Sequence, residues 1–97
     1  MPYLVVDQRV ADVRDWAAAF HAATEQRRAH GAHEATVLTD PTDPGRLLVV
    51  VRFDTAEQAS AWRARPGVDQ EMARVGVDPA SVVVRVLDEL LPGAAVG

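Results

Sequence analysis

The sequence predicts an α+β fold of βαββαβ order, with a four-stranded antiparallel sheet covered by helices on one side. Three observations carry this. Short β-branched runs at both ends and in the middle of the chain read as strands, the stretches between them carry helix caps and helical periodicity, and the two central strands follow each other directly. Ninety-seven residues suit one domain over 1–90 with a tail at 91–97, and a hydrophobic fraction of 48% is that of a globular chain.

Tyr3 to Val10 is the first strand, apolar at first and then interrupted by Asp7, Gln8 and Arg9. Asp12 is placed to cap a helix that runs to Gly31, with Asp15 favourable in its first turn. At 100° per residue, Val13, Trp16, Ala17, Phe20, Thr24 and Arg27 share one stripe, the last two polar on an otherwise buried face. His33 to Asp40 forms a short strand, which the stiff turn Asp40-Pro41-Thr42-Asp43-Pro44-Gly45 should close. Arg46 to Phe53 is the next strand. Asp54-Thr55-Ala56-Glu57 supplies a capping box for a helix with Ala56, Ala59 and Trp62 inward. Pro66-Gly67 breaks it, Asp69 to Val75 adds a turn or two with Met72 inward, and Ser81 to Leu87 is the last strand.

A sheet covered on one side normally alternates apolar and polar residues, yet Val49-Val50-Val51 and Val82-Val83-Val84 are apolar at both parities. The helices can cover only one face, so a homodimer covering the other is expected. An open groove for lipid or peptide would leave that apolar surface bare on the free protein.

Composition narrows the chemistry. The net charge is −4 and the ten basic residues are all arginine, without the clustered patch that nucleic acid needs. Cysteine, lysine and asparagine are all missing, which excludes disulfides, thiolate metal sites, Schiff bases and a P-loop, and nothing demands an oxidising compartment. The start Met1-Pro2-Tyr3-Leu4-Val5-Val6 is too short for a signal peptide, and no stretch approaches the roughly 20 apolar residues of a membrane span. A cytoplasmic protein without membrane or nucleic-acid partners is expected.

Among candidate site residues, His21 and His33 can move protons near neutral pH, with His21 at the edge of the apolar stripe. His30 suits the helix C-terminus instead. His30 and His33 have metal-like spacing, but Gly31 separates them and no third ligand is near, so no metal is expected. Asp7, Arg52 and Arg85 are charges within strands that need partners, either one another or a ligand; an arginine in a pocket would hold a carboxylate, enolate or phenolate. Arg27 could do the same or snorkel from its helix end. Tyr3, Trp16 and Thr24 are further lining candidates, with core packing the competing role for the aromatics.

Several phrases also resemble one group of proteins on the ferredoxin-like βαββαβ fold. They are Met1-Pro2-Tyr3-Leu4-Val5-Val6, the pair Trp16 and Phe20, the turn Asp43-Pro44-Gly45, Val51-Arg52-Phe53-Asp54 leading to Ala59 and Trp62, and Glu71-Met72-Ala73-Arg74-Val75-Gly76-Val77. The chain apart from the Leu91 to Gly97 tail resembles the small actinobacterial, antibiotic-biosynthesis-monooxygenase-like or cyclase-like proteins of the dimeric α/β-barrel superfamily. The resemblance implies a homodimer whose two sheets form a barrel, with a ligand cleft between sheet and helices in each subunit. It implies a small-molecule enzyme of secondary metabolism, an oxygenase or cyclase working without metal or flavin on an aromatic or polyketide-like substrate, with a small aromatic or acidic ligand. His21, His33 or Asp7 would be the base and Arg52 or Arg27 the anion holder. Tyr3, Trp16, Thr24 and Trp62 would line the cleft. The asparagine on which quinone-forming and haem-degrading members rely has no counterpart here, and Trp62 is the nearest match to their tryptophan. The competing expectation is a non-catalytic dimeric ligand-binding or accessory domain.

Overall fold

The computed structural model describes residues 1–91; the tail expected over 91–97 lies, apart from Leu91, outside them. Four strands, β1 (Pro2–Arg9), β2 (Ala32–Asp40), β3 (Asp43–Phe53) and β4 (Val83–Asp88), form an antiparallel sheet in the order β2-β3-β1-β4. That is the ferredoxin-like arrangement, with helices α1 (Val13–Ala22) and α2 (Thr24–Ala29) after β1 and α3 (Ala56–Arg63) and α4 (Val68–Arg74) after β3.

The alternation of side chains sorts the sheet into two faces. Leu4, Val6 and Gln8 of β1 stand beside Val51, Val49 and Leu47 of β3 and point toward the helices, where Trp16, Phe53, Ala59 and Trp62 complete the core. Phe53 and Leu47 are fully buried, and each large apolar side chain so placed stabilises the fold by roughly 1.5–3 kcal/mol. Tyr3, Val5, Asp7 and Arg9 point the other way, beside Arg52, Val50, Leu48 and Arg46. Among the described residues no helix covers that face.

Four details differ from the sequence-based expectation. The first helix is not continuous to Gly31: Thr24 Oγ1 donates to the His21 carbonyl and Arg27 Nη1 to the Phe20 carbonyl, so side chains satisfy backbone acceptors and the helix breaks at Ala23. Ala17 is exposed rather than inward, because Trp16 and Phe20 stack and take the inner face. Pro44 and Gly45 do not close the hairpin but belong to β3; only Pro41 and Thr42 form the turn, with Thr42 N and Oγ1 both donating to Asp40 Oδ1. Pro44 is the second residue of the strand, next to the turn, a position where proline is tolerated. Finally, Ser81 ends a short 3-10 turn (Pro79–Ser81) instead of starting β4, and its Oγ accepts from Arg9 N. The capping box before α3 is made by Thr55 and Gln58, each side chain bonding the other's backbone N–H at 3.1 Å.

Candidate functional site

Between the helix-side face of the sheet and the helices lies a cleft of about 350 Å³. Its floor is Leu4, Val6, Val49 and Val51; Trp16, Phe20, Trp62 and Met72 form walls. Trp16 and Phe20 stack with ring centres 4.9 Å apart. Into this apolar space the fold brings several polar groups. Gln8 is 4% exposed, and its Oε1 has no hydrogen-bond partner. Arg27 is 6% exposed; its guanidinium covers the Phe20 ring at 3.7 Å and donates to the Phe20 carbonyl at 2.8 Å and Thr24 Oγ1 at 3.3 Å. Burial, and then the positive charge of Arg65, hold Arg27 below the ordinary arginine value. Arg65 lies over the Trp62 ring at 3.6 Å, donating to the Trp62 carbonyl at 2.7 Å and to Glu71 at 2.9 Å.

A second depression, about 260 Å³, shares Phe20, Arg27 and Val51 with the cleft and is lined by His21, Thr24 and His33. His33 hydrogen-bonds Asp54. The fold therefore gathers His21, Thr24, Arg27 and His33 around one hollow, and Trp16, Arg27 and Trp62 around the other. Arg27 stands between the two.

Tyr3, Asp7 and Arg52 are placed differently. Strand alternation puts all three on the uncovered sheet face, away from the cleft, because Leu4, Val6 and Gln8 hold the inward positions. Asp7 as a base in the cleft, and Arg52 as its anion holder, are thereby corrected. Nor do these charges pair with each other: Asp7 accepts from Arg46 at 3.0 and 3.2 Å, and Arg52 meets Glu34 at 3.4 Å. Tyr3 donates to Glu89, and this bond raises the tyrosine pKa. Arg52 borders a shallow surface hollow with His33 and Asp54 on the sheet edge. His30 caps α2, its Nδ1 paired with the Gln26 carbonyl at 2.8 Å and its ring tilted against Trp62.

Sequence reasoning passed over Gln8, Arg65 and Glu71. For Gln8 a signal existed, since it shares the parity of Leu4 and Val6. For Arg65 the three-residue spacing from Trp62 was the available cue. Among the described residues no cluster of three His, Cys, Asp or Glu could hold a metal ion, and no helix is long and apolar enough to cross a membrane.

Fold and cleft together define a class by architecture: a ferredoxin-like α+β domain with a cleft between its sheet and its helices. No family model and no curated protein matches the chain. Solved structures do. A candidate antibiotic biosynthesis monooxygenase from Deinococcus radiodurans is 18% identical over 100% of both chains, with a TM-score of 0.69. SnoaB, a cofactor-independent oxygenase from Streptomyces nogalater, is 12% identical over 94% of this chain and 96% of its own, with a TM-score of 0.70. A dimeric ferredoxin-like protein from an uncultured marine organism is 6% identical over 98% of this chain and 100% of its own, with a TM-score of 0.63. At these identities the likeness establishes the shared fold.

Proposed function

We propose that the cleft binds a small aromatic or polyketide-like molecule, and that the chain acts on it as an oxygenase or cyclase of secondary metabolism without a bound cofactor. The observation that carries this reading is the cleft itself: an apolar space walled by Trp16, Phe20 and Trp62, with the polar groups of Gln8 and Arg27 buried at its edge. Stacking walls suit planar rings, and a few placed polar groups fix their orientation. In such chemistry a base removes an acidic proton and a cation holds the resulting enolate or phenolate in a dry pocket. Arg27 is the anion holder in this reading. His21 and His33, beside it in the second hollow, are the candidate bases. SnoaB, described as a cofactor-independent oxygenase on the same fold, supports the choice.

The uncovered sheet face supports a homodimer in the same reading. Val5, Leu48 and Val50 form an apolar centre there, with Leu38 at 51% and Val83 at 52% exposure toward its edges. A second copy would bury that patch without touching the cleft.

Incubation of the purified chain with an anthrone under isotopically labelled dioxygen tests the activity. An oxygenase transfers labelled oxygen to the quinone product with no added metal or flavin. A cyclase converts a polyketide-like substrate without taking up label. Binding of either compound without turnover would favour an accessory ligand-binding domain instead. Turnover that survives substitution of both His21 and His33 by alanine would remove them as bases.

A further inference from the structure

Arg27 is a buried cation without a counter-ion. Its hydrogen bonds end on the Phe20 carbonyl and the Thr24 hydroxyl, both neutral, and the ion pairs among the described residues do not include it. A second guanidinium, that of Arg65, lines the same cleft. Glu71 and the Trp62 carbonyl occupy its terminal nitrogens, but its Nε is buried and unpartnered. Four arginines line this cleft, Arg27, Arg63, Arg65 and Arg74, beside one carboxylate, Glu71, and cations so gathered, with Arg27 buried and unneutralised, are unfavourable until an anion enters. Burial and Arg65 already weaken the hold of Arg27 on its proton. A third group faces the same cleft: Gln8, 4% exposed, has an amide oxygen with no donor. An unmet acceptor in an apolar wall calls for a ligand O–H or N–H.

We propose that the cleft is a receptor for planar aromatic acids: an anionic oxygen, from a carboxylate or an acidic enol, sits against Arg27 and Arg65, the ring lies along Trp16, Phe20 and Trp62, and a ring hydroxyl donates to Gln8. This rests on reading the cleft as a small-molecule site and goes further by fixing the ligand's charge and hydrogen-bond polarity. The guanidinium carbons stand over aromatic walls, Arg27 at 3.7 Å from the Phe20 ring centre and Arg65 at 3.6 Å from that of Trp62, which places cationic N–H donors beside the rim of a stacked ligand.

Both tryptophans of the chain line the cleft, so their fluorescence reports occupancy directly. The full-length chain is titrated with naphthoate, hydroxynaphthoate, the acidic enol lawsone and the neutral isostere naphthamide. Naphthoate or lawsone should bind about tenfold or more tightly than naphthamide, the scale of one charge-assisted hydrogen bond. Which of the two binds better tells whether carboxylate or enol is the preferred anion. Arg27→Met, which keeps the apolar stem, should cut the preference for the anion several-fold, read as the ratio of naphthoate to naphthamide affinity in the same variant. Arg65→Gln, at a less buried position, should reduce the same preference and serves if Arg27→Met does not fold by circular dichroism. Naphthamide binding as tightly as naphthoate and lawsone would overturn the receptor while leaving an aromatic-binding cleft. If no probe bound although an anthrone was turned over, the receptor would fall and the proposed activity would stand.

Discussion

Asp7 and Gln8 are adjacent in the chain, and one step of strand alternation gives them opposite fates. Asp7 reaches the uncovered face and is neutralised by Arg46, whereas Gln8 is driven into the cleft, where its amide oxygen goes unmatched. An unpartnered buried amide costs stability, because its hydration is lost with nothing in return. Gln8→Leu is therefore expected to raise the free energy of unfolding by about 1–2 kcal/mol in urea titrations, while removing any preference for hydroxynaphthoate over naphthoate. A loss of stability in this variant would mean the amide is already satisfied in the free protein. Trp62 behaves oppositely. Its ring is buried beneath Arg65 and beside His30, and Trp62→Ala should cost about 3–5 kcal/mol. At this scale the sequence revealed the aromatic walls and Arg27 through helical periodicity. It left open which sheet face carries Asp7 and Arg52, which parity propagated from Leu4 and Val6 answers, and it offered only the three-residue spacing from Trp62 as a cue to Arg65, whose position depends on how the chain turns after α3.

At the level of elements, helix caps and strand runs were legible because they depend on neighbours in sequence. The break at Ala23 was not, since it requires Arg27 to fold back onto the Phe20 carbonyl, a contact seven residues distant. Nor was the entry of Pro44 into β3, which depends on the pairing of Asp43 with Asp40 and on the hydrogen bond from Val10 N to the Gly45 carbonyl. Two junctions lend themselves to measurement. Gly31 has φ +95°, and a Cβ there would meet the Gln58 side chain at 2.5 Å, disturbing the capping box of α3; Gly67 has φ +82° and open space around it. Left-handed backbone costs an alanine roughly 1–2 kcal/mol at either site, and a lost cap adds about 1 kcal/mol. Gly31→Ala should thus destabilise more than Gly67→Ala, by about 1 kcal/mol in paired urea melts. Equal losses would show that Gln58 moves aside freely.

The β2–β3 hairpin holds two aspartates with lowered pKa values. Hydrogen bonds from the Thr42 side chain and backbone lower the pKa of Asp40, and the Arg9 side chain lowers that of Asp43. A depressed folded-state pKa means that the folded chain binds fewer protons than the unfolded one. The stabilisation is present above the unfolded aspartate pKa of about 4 and is lost as the pH falls through the lower folded values. The melting temperature should decline on acidification in that window. Asp43→Asn should melt lower at neutral pH and show a flatter acid decline, as scanned by circular dichroism.

For the whole molecule, the decisive feature is a sheet with two apolar faces and helices for only one. This was legible in Val49-Val50-Val51: Val49 and Val51 are buried in the core, and Val50 lies at the centre of the uncovered face, between Val5 and Thr36. Asp7 with Arg46, Arg9 with Asp43 and Glu34 with Arg52 are paired within the chain and add little repulsion between copies, whereas Arg85, opposite Val5, is in no ion pair among the described residues and has to reach solvent or a carboxylate of the second copy. A stable pairing needs roughly 800 Å² buried on each partner, and at about 25 cal/mol per Å² its apolar share offsets much of the cost of association. The proposed homodimer follows from this arrangement, and so does its weak point. Val50→Glu would place an unpaired carboxylate at the centre of the patch, where burial against a second copy is most costly. Light scattering at micromolar concentration should give the dimer mass for the unmodified chain and the monomer mass for Val50→Glu. The same substitution at Ala17, exposed on α1, should leave the mass at that of the dimer. Monomeric mass for the unmodified chain would contradict the pairing. A dimer that tolerates glutamate at Val50 would place the contact elsewhere and leave the uncovered face facing solvent.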